Sequence, residues 1–325
     1  MVEAIGPPRR AVATWYTSRP MAGSHGHSHP QSDRPYGIGI ALNVGFVLIE
    51  ASLGVLAGSL ALVADAGHNL SDVLGLALAW GAARLARLPA TQRRTYGMRR
   101  STILAALLNA LILIAAMAGI SWEAVRRLSH PQGVAGWTVI GVALMGVVIN
   151  GASALLFANG RKADLNVAGA FIHMAADAAV SAGVVLAGLG IVLTGWQWLD
   201  PLVSLAIVLV ILVGTWGLLR DSVNLALDAV PPNINVSEVQ AYLASLPSVL
   251  EVHDLHVWAM STTEVALTAH LVKPDPANDD VMIAQVTQQL RDRFGIQHST
   301  IQWERVRANH PCGDPCADHT LPDQR

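Results

Sequence analysis

Apolar and polar positions divide this chain into two unlike halves. From residue 36 to residue 219, long apolar stretches follow one another, at about 36–57, 60–84, 102–125, 136–158, 165–190 and 198–219. Each is near the ~20 residues that a helix needs to cross hydrocarbon. The turn at Gly58 and Ser59 is short, so the first two form a hairpin. A short connection around Thr194 to Asp200 joins the last two, and Trp196 and Trp198 within it read as interfacial anchors. After Arg220 the pattern changes. Residues 237–246 read as a helix, 249–260 and 264–272 alternate like strands, 279–294 are again helical, and 299–306 form a last strand. The order αββαβ predicts a small two-layer α+β domain. The expected organisation is a polytopic α-helical membrane domain of six helices over 36–220 and a soluble α+β domain over 221–307. Polar ends at 1–35 and 308–325 are expected to be disordered.

Composition agrees with a membrane protein. Of the 325 residues, 52% are hydrophobic and 14% charged, against about 25% charged in ordinary soluble domains. A net charge of −2, with no basic tract interleaved with aromatics, argues against a nucleic-acid partner. Two cysteines exclude a disulfide framework; both lie in the tail, Cys312 and Cys316. Arg9 and Arg10 lead into a stretch too short and polar for a signal peptide. Met21 opens MAGSHGHSHP, so residues 1–20 are expected to be an over-long extension or a disordered leader. His25, His27 and His29 alternate in that segment, a metal-binding composition.

Charge sets the expected orientation. The loop after the second stretch holds Arg84, Arg87, Arg93, Arg94, Arg99 and Arg100, and the loop after the fourth holds Arg161 and Lys162. The loops after the first and fifth hold no Lys or Arg, and Arg126 and Arg127 after the third are the exception. The bias places the even loops and both termini in the cytoplasm. The composition suggests a bacterial inner membrane.

The second stretch breaks its own apolar pattern with Asp65, His68 and Asp72. Ionisable groups at membrane depth cost roughly 2.5–3.5 kcal/mol each on insertion scales and mark ion or proton paths. His68 and Asp72 share a helical face, and His173 and Asp177 repeat the spacing in the fifth stretch. Two imidazoles and two carboxylates form the ligand set of a tetrahedral zinc site. The two stretches start on opposite sides of the membrane, so the pairs meet antiparallel. Imidazole ligates only when neutral, so protons compete with metal there. Asp65 is expected to line the approach or bond a neighbour. Asn43, Glu50, Asn109 and Asn150 are further intramembrane polar groups, and Glu50 is the one expected to touch the pathway.

With these residues the chain resembles the cation diffusion facilitator family over about residues 36–306. The resemblance rests on VADAGHNLSD (63–72), IHMAADAAVSAG (172–183), VHDLHVW (252–258) and TIQWE (300–304). It implies six transmembrane helices, a ferredoxin-like cytoplasmic domain, a homodimer, and alternating-access exchange of a divalent metal for protons. The combination of His68, Asp72, His173 and Asp177 is the one associated with zinc, with Co2+ or Cd2+ as further substrates. The resemblance also implies a cytoplasmic zinc site of His253, His270 and Glu304, completed in some relatives by an N-terminal histidine such as His25, His27 or His29. His298 stands where relatives can turn a histidine toward the membrane domain. Cys312 and Cys316 resemble the C-terminal Cys pairs of related zinc exporters. Strand alternation places His256 on the face opposite His253, outside that site. The second loop, YGMRRST, has Arg99 and Thr102 where relatives often have His and Glu, so no loop metal site is expected.

Other classes fit less well. An intramembrane metalloenzyme lacks a base beside an open metal position. A membrane-bound zinc sensor or buffer would not need two intramembrane pairs. A passive metal channel is separated from an exporter by flux against a gradient.

Overall fold

The structure, a computed structural model, describes residues 33–158 and 165–305. Six long helices come first: α1 (Asp33–Leu56), α2 (Leu60–Ala86), α3 (Ser101–Ser129), α4 (Gly136–Ala158), α5 (Leu165–Thr194) and α6 (Leu199–Ala226). Four segments among the described residues are long and apolar enough to cross a membrane: Ser101–Ser129, Gly136–Ala158, Phe171–Thr194 and Leu199–Ala226. That is fewer than the six expected. The described apolar part of α1, Val44–Leu56, is shorter, and α2 carries Asp65, His68, Asn69 and Asp72 across its middle.

The turn between α1 and α2 is built by specific residues. Gly58 has φ +68°, a conformation that side chains disfavour, and its carbonyl accepts from Arg127 Nη1 at 2.6 Å. Ser59 caps α2, its hydroxyl accepting from the Leu62 N–H at 3.2 Å. Asp200, buried in the first turn of α6, accepts from the Ser59 hydroxyl (2.5 Å), the Leu60 N–H (2.7 Å) and the Ala61 N–H (3.4 Å). One carboxylate thus ties α6 to the N-terminus of α2, where the helix dipole favours negative charge. Small residues on α2, Ala57 before it and Ala61 and Ala64 within it, pack with Leu113, Met117, Val139, Val142 and Ile207, and such residues let helices approach closely in lipid.

Arg220 does not end the membrane helix. α6 runs on to Ala226, ending before Asp228, whose φ of +61° breaks the helix, and before Pro231 and Pro232, which do not continue one. The remaining elements follow the order read from the sequence: α7 (Val236–Ala244), β1 (Glu251–Ala259), β2 (Val265–Val272), α8 (Asp279–Phe294) and β3 (His298–Glu304). The sheet order is β1-β2-β3, with β1 antiparallel and β3 parallel to β2. Val239 and Leu243 of α7 and Val286 and Leu290 of α8 pack against Leu267, Ala269 and Leu271 of β2. Both helices therefore cover one sheet face, and the odd-numbered residues of β2 supply it. His270 belongs to the other face. A ferredoxin-like order would have a strand ahead of the first helix; the sheet has three strands among the described residues.

A polar knot closes this domain. Lys273, buried at the end of β2, donates to Ala277 O (2.9 Å), to Asp279 Oδ1 (2.8 Å) and to the Asp275 carbonyl. Arg305 also pairs with Asp279. The Arg305 guanidinium, and after it the Lys273 ammonium, hold the Asp279 carboxyl below the usual carboxylate range. Asp279 is therefore more easily ionised in the folded state than in the unfolded one. Its contribution to stability is present above the unfolded value, about 3.9, and is lost as pH falls through the lower folded value. Asp279→Asn is expected to melt below wild type at pH 7, with the gap closing below pH about 4; thermal unfolding across a pH series checks this.

Candidate metal centres

α2 and α5 run antiparallel and meet along a ladder of polar side chains. Asp65 faces Ser181, His68 faces Asp177, and Asp72 faces His173. Positions on α2 rise as those on α5 fall, which brings two i, i+4 pairs to one level. His68 Nε2 lies 3.5 Å from Asp177 Oδ1 and 3.8 Å from Asp72 Oδ2. His173 Nε2 lies 3.1 Å from Asp72 Oδ2 and 3.6 Å from Asp177 Oδ2. Each histidine faces both carboxylates, so the four groups alternate around a ring. Metal bonds of about 2.0–2.1 Å in a tetrahedron set ligand atoms roughly 3.3 Å apart. The four histidine–carboxylate separations span that value; His68, Asp72 and His173 each place one ligand atom within 4.8 Å of the others, and Asp177 borders that set through its contacts with both histidines. The Asp177 Oδ2 and His68 Nδ1 atoms are buried without a hydrogen-bond partner, which leaves Asp177 Oδ2 free to take an ion. The four residues expected from the sequence are thus brought together.

Exposure is graded along the ladder. The His173 and Asp72 side chains are 44% and 39% exposed, His68 is 21%, and Asp177 is 4%. Beyond Asp177 the ladder is sealed. Asp65 is fully buried and accepts from the Ser181 hydroxyl at 2.9 Å. Glu50 of α1, also fully buried, lies against Asp65 and accepts from Asn69 Nδ2 at 3.2 Å. Gly146 of α4 permits this closure, since a Cβ there would stand 2.9 Å from Ser181 Oγ. Asp65 is therefore a neighbour-bonded group behind the ring, and Glu50 lies against it. Asn69 and Ser181 escaped sequence reasoning, because a lone Asn or Ser on an apolar helix has many uses and their partners lie on other helices.

The second cluster sits on the helix-free face of the sheet. His253 pairs with His270 across β1 and β2, and Glu304 pairs with Val272 across β2 and β3. Position 272 is on the same face as 270, so all three side chains converge. His270 Nδ1 is 3.1 Å from Glu304 Oε1, and His253 Nε2 is 3.4 Å from Glu304 Oε2. One donor atom from each of the three lies within 4.8 Å of the others. His253 Nδ1 is buried and unpartnered. Two imidazoles and a carboxylate at these separations fit a zinc ion with one position left for a further ligand.

Strict alternation misplaced His256. Asp254 and Leu255 together oppose Ala269 alone, because the register shifts between His253 and His256. That bulge returns His256 to the face of His253. Its Nε2 contacts Asp254 Oδ1 at 2.9 Å, and it lies outside the three-residue cluster.

His298 stands apart from both clusters and meets Tyr96 of the α2–α3 loop edge to face, with ring centroids 5.5 Å apart. That loop and the first turn of α3 make three further contacts with residues that follow α6. Arg99 pairs with Glu264 at 2.8 Å, Arg100 pairs with Asp228, and Thr102 Oγ1 accepts from the Thr262 N–H at 3.1 Å. Arg99 and Thr102 thus join the two domains. His25, His27, His29, Cys312 and Cys316 lie outside the described residues.

Two family models match the chain: the cation efflux transmembrane domain over residues 37–225, and the cation efflux protein cytoplasmic domain over residues 231–306. The metal cation efflux system protein CzcD of Cupriavidus metallidurans is 37% identical over 286 residues, covering 87% of this chain and 90% of its own length. The zinc transporter ZitB of Escherichia coli is 36% identical over 303 residues, with 90% and 95% coverage. A cadmium, cobalt and zinc/H(+)-K(+) antiporter of Bacillus subtilis is 33% identical over 291 residues, with 88% and 93% coverage.

Proposed function

This chain belongs to the cation efflux family of membrane metal transporters, and on that premise we propose that it exports zinc from the cytoplasm in exchange for protons. The observation that carries the proposal is the ring of His68, Asp72, His173 and Asp177, with imidazole and carboxylate alternating at 3.1–3.8 Å. Zinc entering a membrane sheds most of its water, and these four ligands replace it. Two carboxylates neutralise its +2 charge, and two imidazoles favour zinc over the hard cations that all-oxygen sites select. The names of the E. coli and B. subtilis relatives support zinc, and the latter also a proton counter-ion. Cobalt and cadmium are further substrates on the same ground.

The six long helices cross the membrane with both termini in the cytoplasm, as the Arg-rich α2–α3 loop supports. In that orientation Asp72 and His173 are the cytoplasmic rim of the site and Asp177 its floor. The exposed rim and the seal of Asp65, Ser181 and Glu50 are those of an inward-facing state. Zinc enters past Asp72 and His173 and displaces protons from the ring. Rearrangement of the helices then opens the sealed end, where protons re-enter the ring and zinc leaves. Because one site serves both ions, inward proton flow drives zinc out.

In the soluble domain, His253 Nε2, His270 Nδ1 and a Glu304 oxygen would hold a regulatory zinc. That domain is ferredoxin-like without its leading strand. It pairs with its copy in a homodimer, which the family match supports. His25, His27 or His29 would supply a further ligand to this zinc, and Cys312 with Cys316 would bind metal near it. The membrane is a bacterial inner membrane, as the relatives support.

The test is zinc flux in sealed proteoliposomes with an imposed pH gradient. Zinc movement that follows the gradient, and reverses with it, is the expected result. Flux that ignores the gradient would overturn the exchange mechanism.

A further inference from the structure

Asp254 sits in a costly backbone conformation. Its φ is +52°, in the left-handed region that few residues other than Gly, Asn and Asp adopt. It is one of the two bulge residues opposing Ala269. Strain of this kind persists where the surroundings demand it, and it gathers at functional sites. Here the bulge aims the Asp254 carboxylate across the sheet. Oδ2 lies 3.5 Å from His270 Nε2, and Oδ1 lies 2.9 Å from His256 Nε2.

His270 presents its two nitrogens to two carboxylates. Nδ1 faces Glu304 at 3.1 Å, on the side of the zinc cluster, and Nε2 faces Asp254. A metal-bound imidazole is neutral and carries one proton, on the nitrogen away from the metal. With Nδ1 as the ligand, that proton is on Nε2, the nitrogen 3.5 Å from Asp254 Oδ2. Carboxylates in this place fix the tautomer and ring orientation of a metal-binding histidine and raise its basicity; their loss commonly weakens metal binding 10–100-fold.

We propose that Asp254 is a positioning residue of the cytoplasmic zinc site, accepting the Nε2–H of His270 while Nδ1 takes the metal. The proposal rests on the reading of His253, His270 and Glu304 as a zinc site. His256 holds the other oxygen of Asp254 and so fixes the direction of the carboxylate. The bulge exists to turn position 254 onto this face, which regular alternation would deny it.

The test uses the full-length protein in detergent with competing zinc sites removed by Asp72→Ala, Asp177→Ala, Cys312→Ser and Cys316→Ser. Zinc affinity is measured by competition with a chelator. In this background His253→Ala is expected to abolish the remaining tight site; unchanged binding would overturn the triad and with it the role of Asp254. Asp254→Gly and Asp254→Asn both tolerate the left-handed backbone, but only Asn keeps an acceptor oxygen. The Gly variant is expected to lose about 10–100-fold in affinity, and the Asn variant clearly less. If Gly binds zinc as tightly as the parent, Asp254 serves the bulge alone and the proposal fails while the triad stands. Equal losses in Gly and Asn would also contradict it, because the acceptor oxygen would then not matter.

Discussion

Asp177→Ala will reduce zinc transport in proteoliposomes to background. The Asp177 carboxylate is the most buried member of the ring and faces both histidines. Its removal takes away a ligand and half of the negative charge that balances the ion. Losing an outer partner of a ligand already costs 10–100-fold, so losing the ligand itself should lower flux by more than about 100-fold. Asp72→Ala should match it, since Asp72 lies 3.1 Å from His173 and 3.8 Å from His68. Neither variant should unfold, because the polar partners of both carboxylates are the two ring histidines, and neither carboxylate anchors a helix end. Parallel measurement of thermal unfolding separates lost ligation from lost fold. Substantial residual flux in Asp177→Ala would place the transported ion elsewhere.

The second large effect is on folding. Asp200→Ala orphans the Leu60 and Ala61 N–H groups and the Ser59 hydroxyl at the start of α2. Each buried donor left unsatisfied costs about 1–3 kcal/mol. With the bond from Ala61 a long one, the total is on the order of 3 kcal/mol. The expected readout is a melting temperature lower by roughly 5–10 °C in detergent. Asp200→Asn keeps one acceptor oxygen and should fall between the two. Transport should decline with the folded fraction, because Asp200 anchors the helix that carries His68 and Asp72 without touching either.

Why Asp200 escaped the sequence reading is instructive. It stands beside Trp198 at the end of a loop, where an acidic residue needs no explanation. Its partners at Ser59 to Ala61 are about 140 residues away in the chain. Periodicity reports only what lies within a turn or two. For the same reason it exposed His68 with Asp72 and His173 with Asp177, whose i, i+4 spacing is local, and left Ser181 and Asn69 unremarked. The helices and strands were legible because burial writes itself as period 3.6 or 2. The end of α6 was not, because Arg220 signals a change of solvent, whereas the helix stops only near Asp228 and the prolines after it. The bulge in β1 was hidden too. A one-residue insertion leaves both flanking segments alternating normally, and only the pairing of His253 with His270 and of His256 with Thr268 reveals it.

The ring of four ligands is the central claim, and X-ray absorption at the zinc edge tests it most directly. The protein for this measurement carries His253→Ala, His270→Ala, Glu304→Ala, Cys312→Ser and Cys316→Ser, so that the ring holds the remaining zinc. The expected result is one zinc per chain in a first shell of four N/O atoms at about 2.0–2.1 Å, two of them with imidazole outer-shell scattering, and loss of that zinc on adding Asp177→Ala. A zinc with more than two imidazoles, or one that survives Asp177→Ala, would contradict the claim.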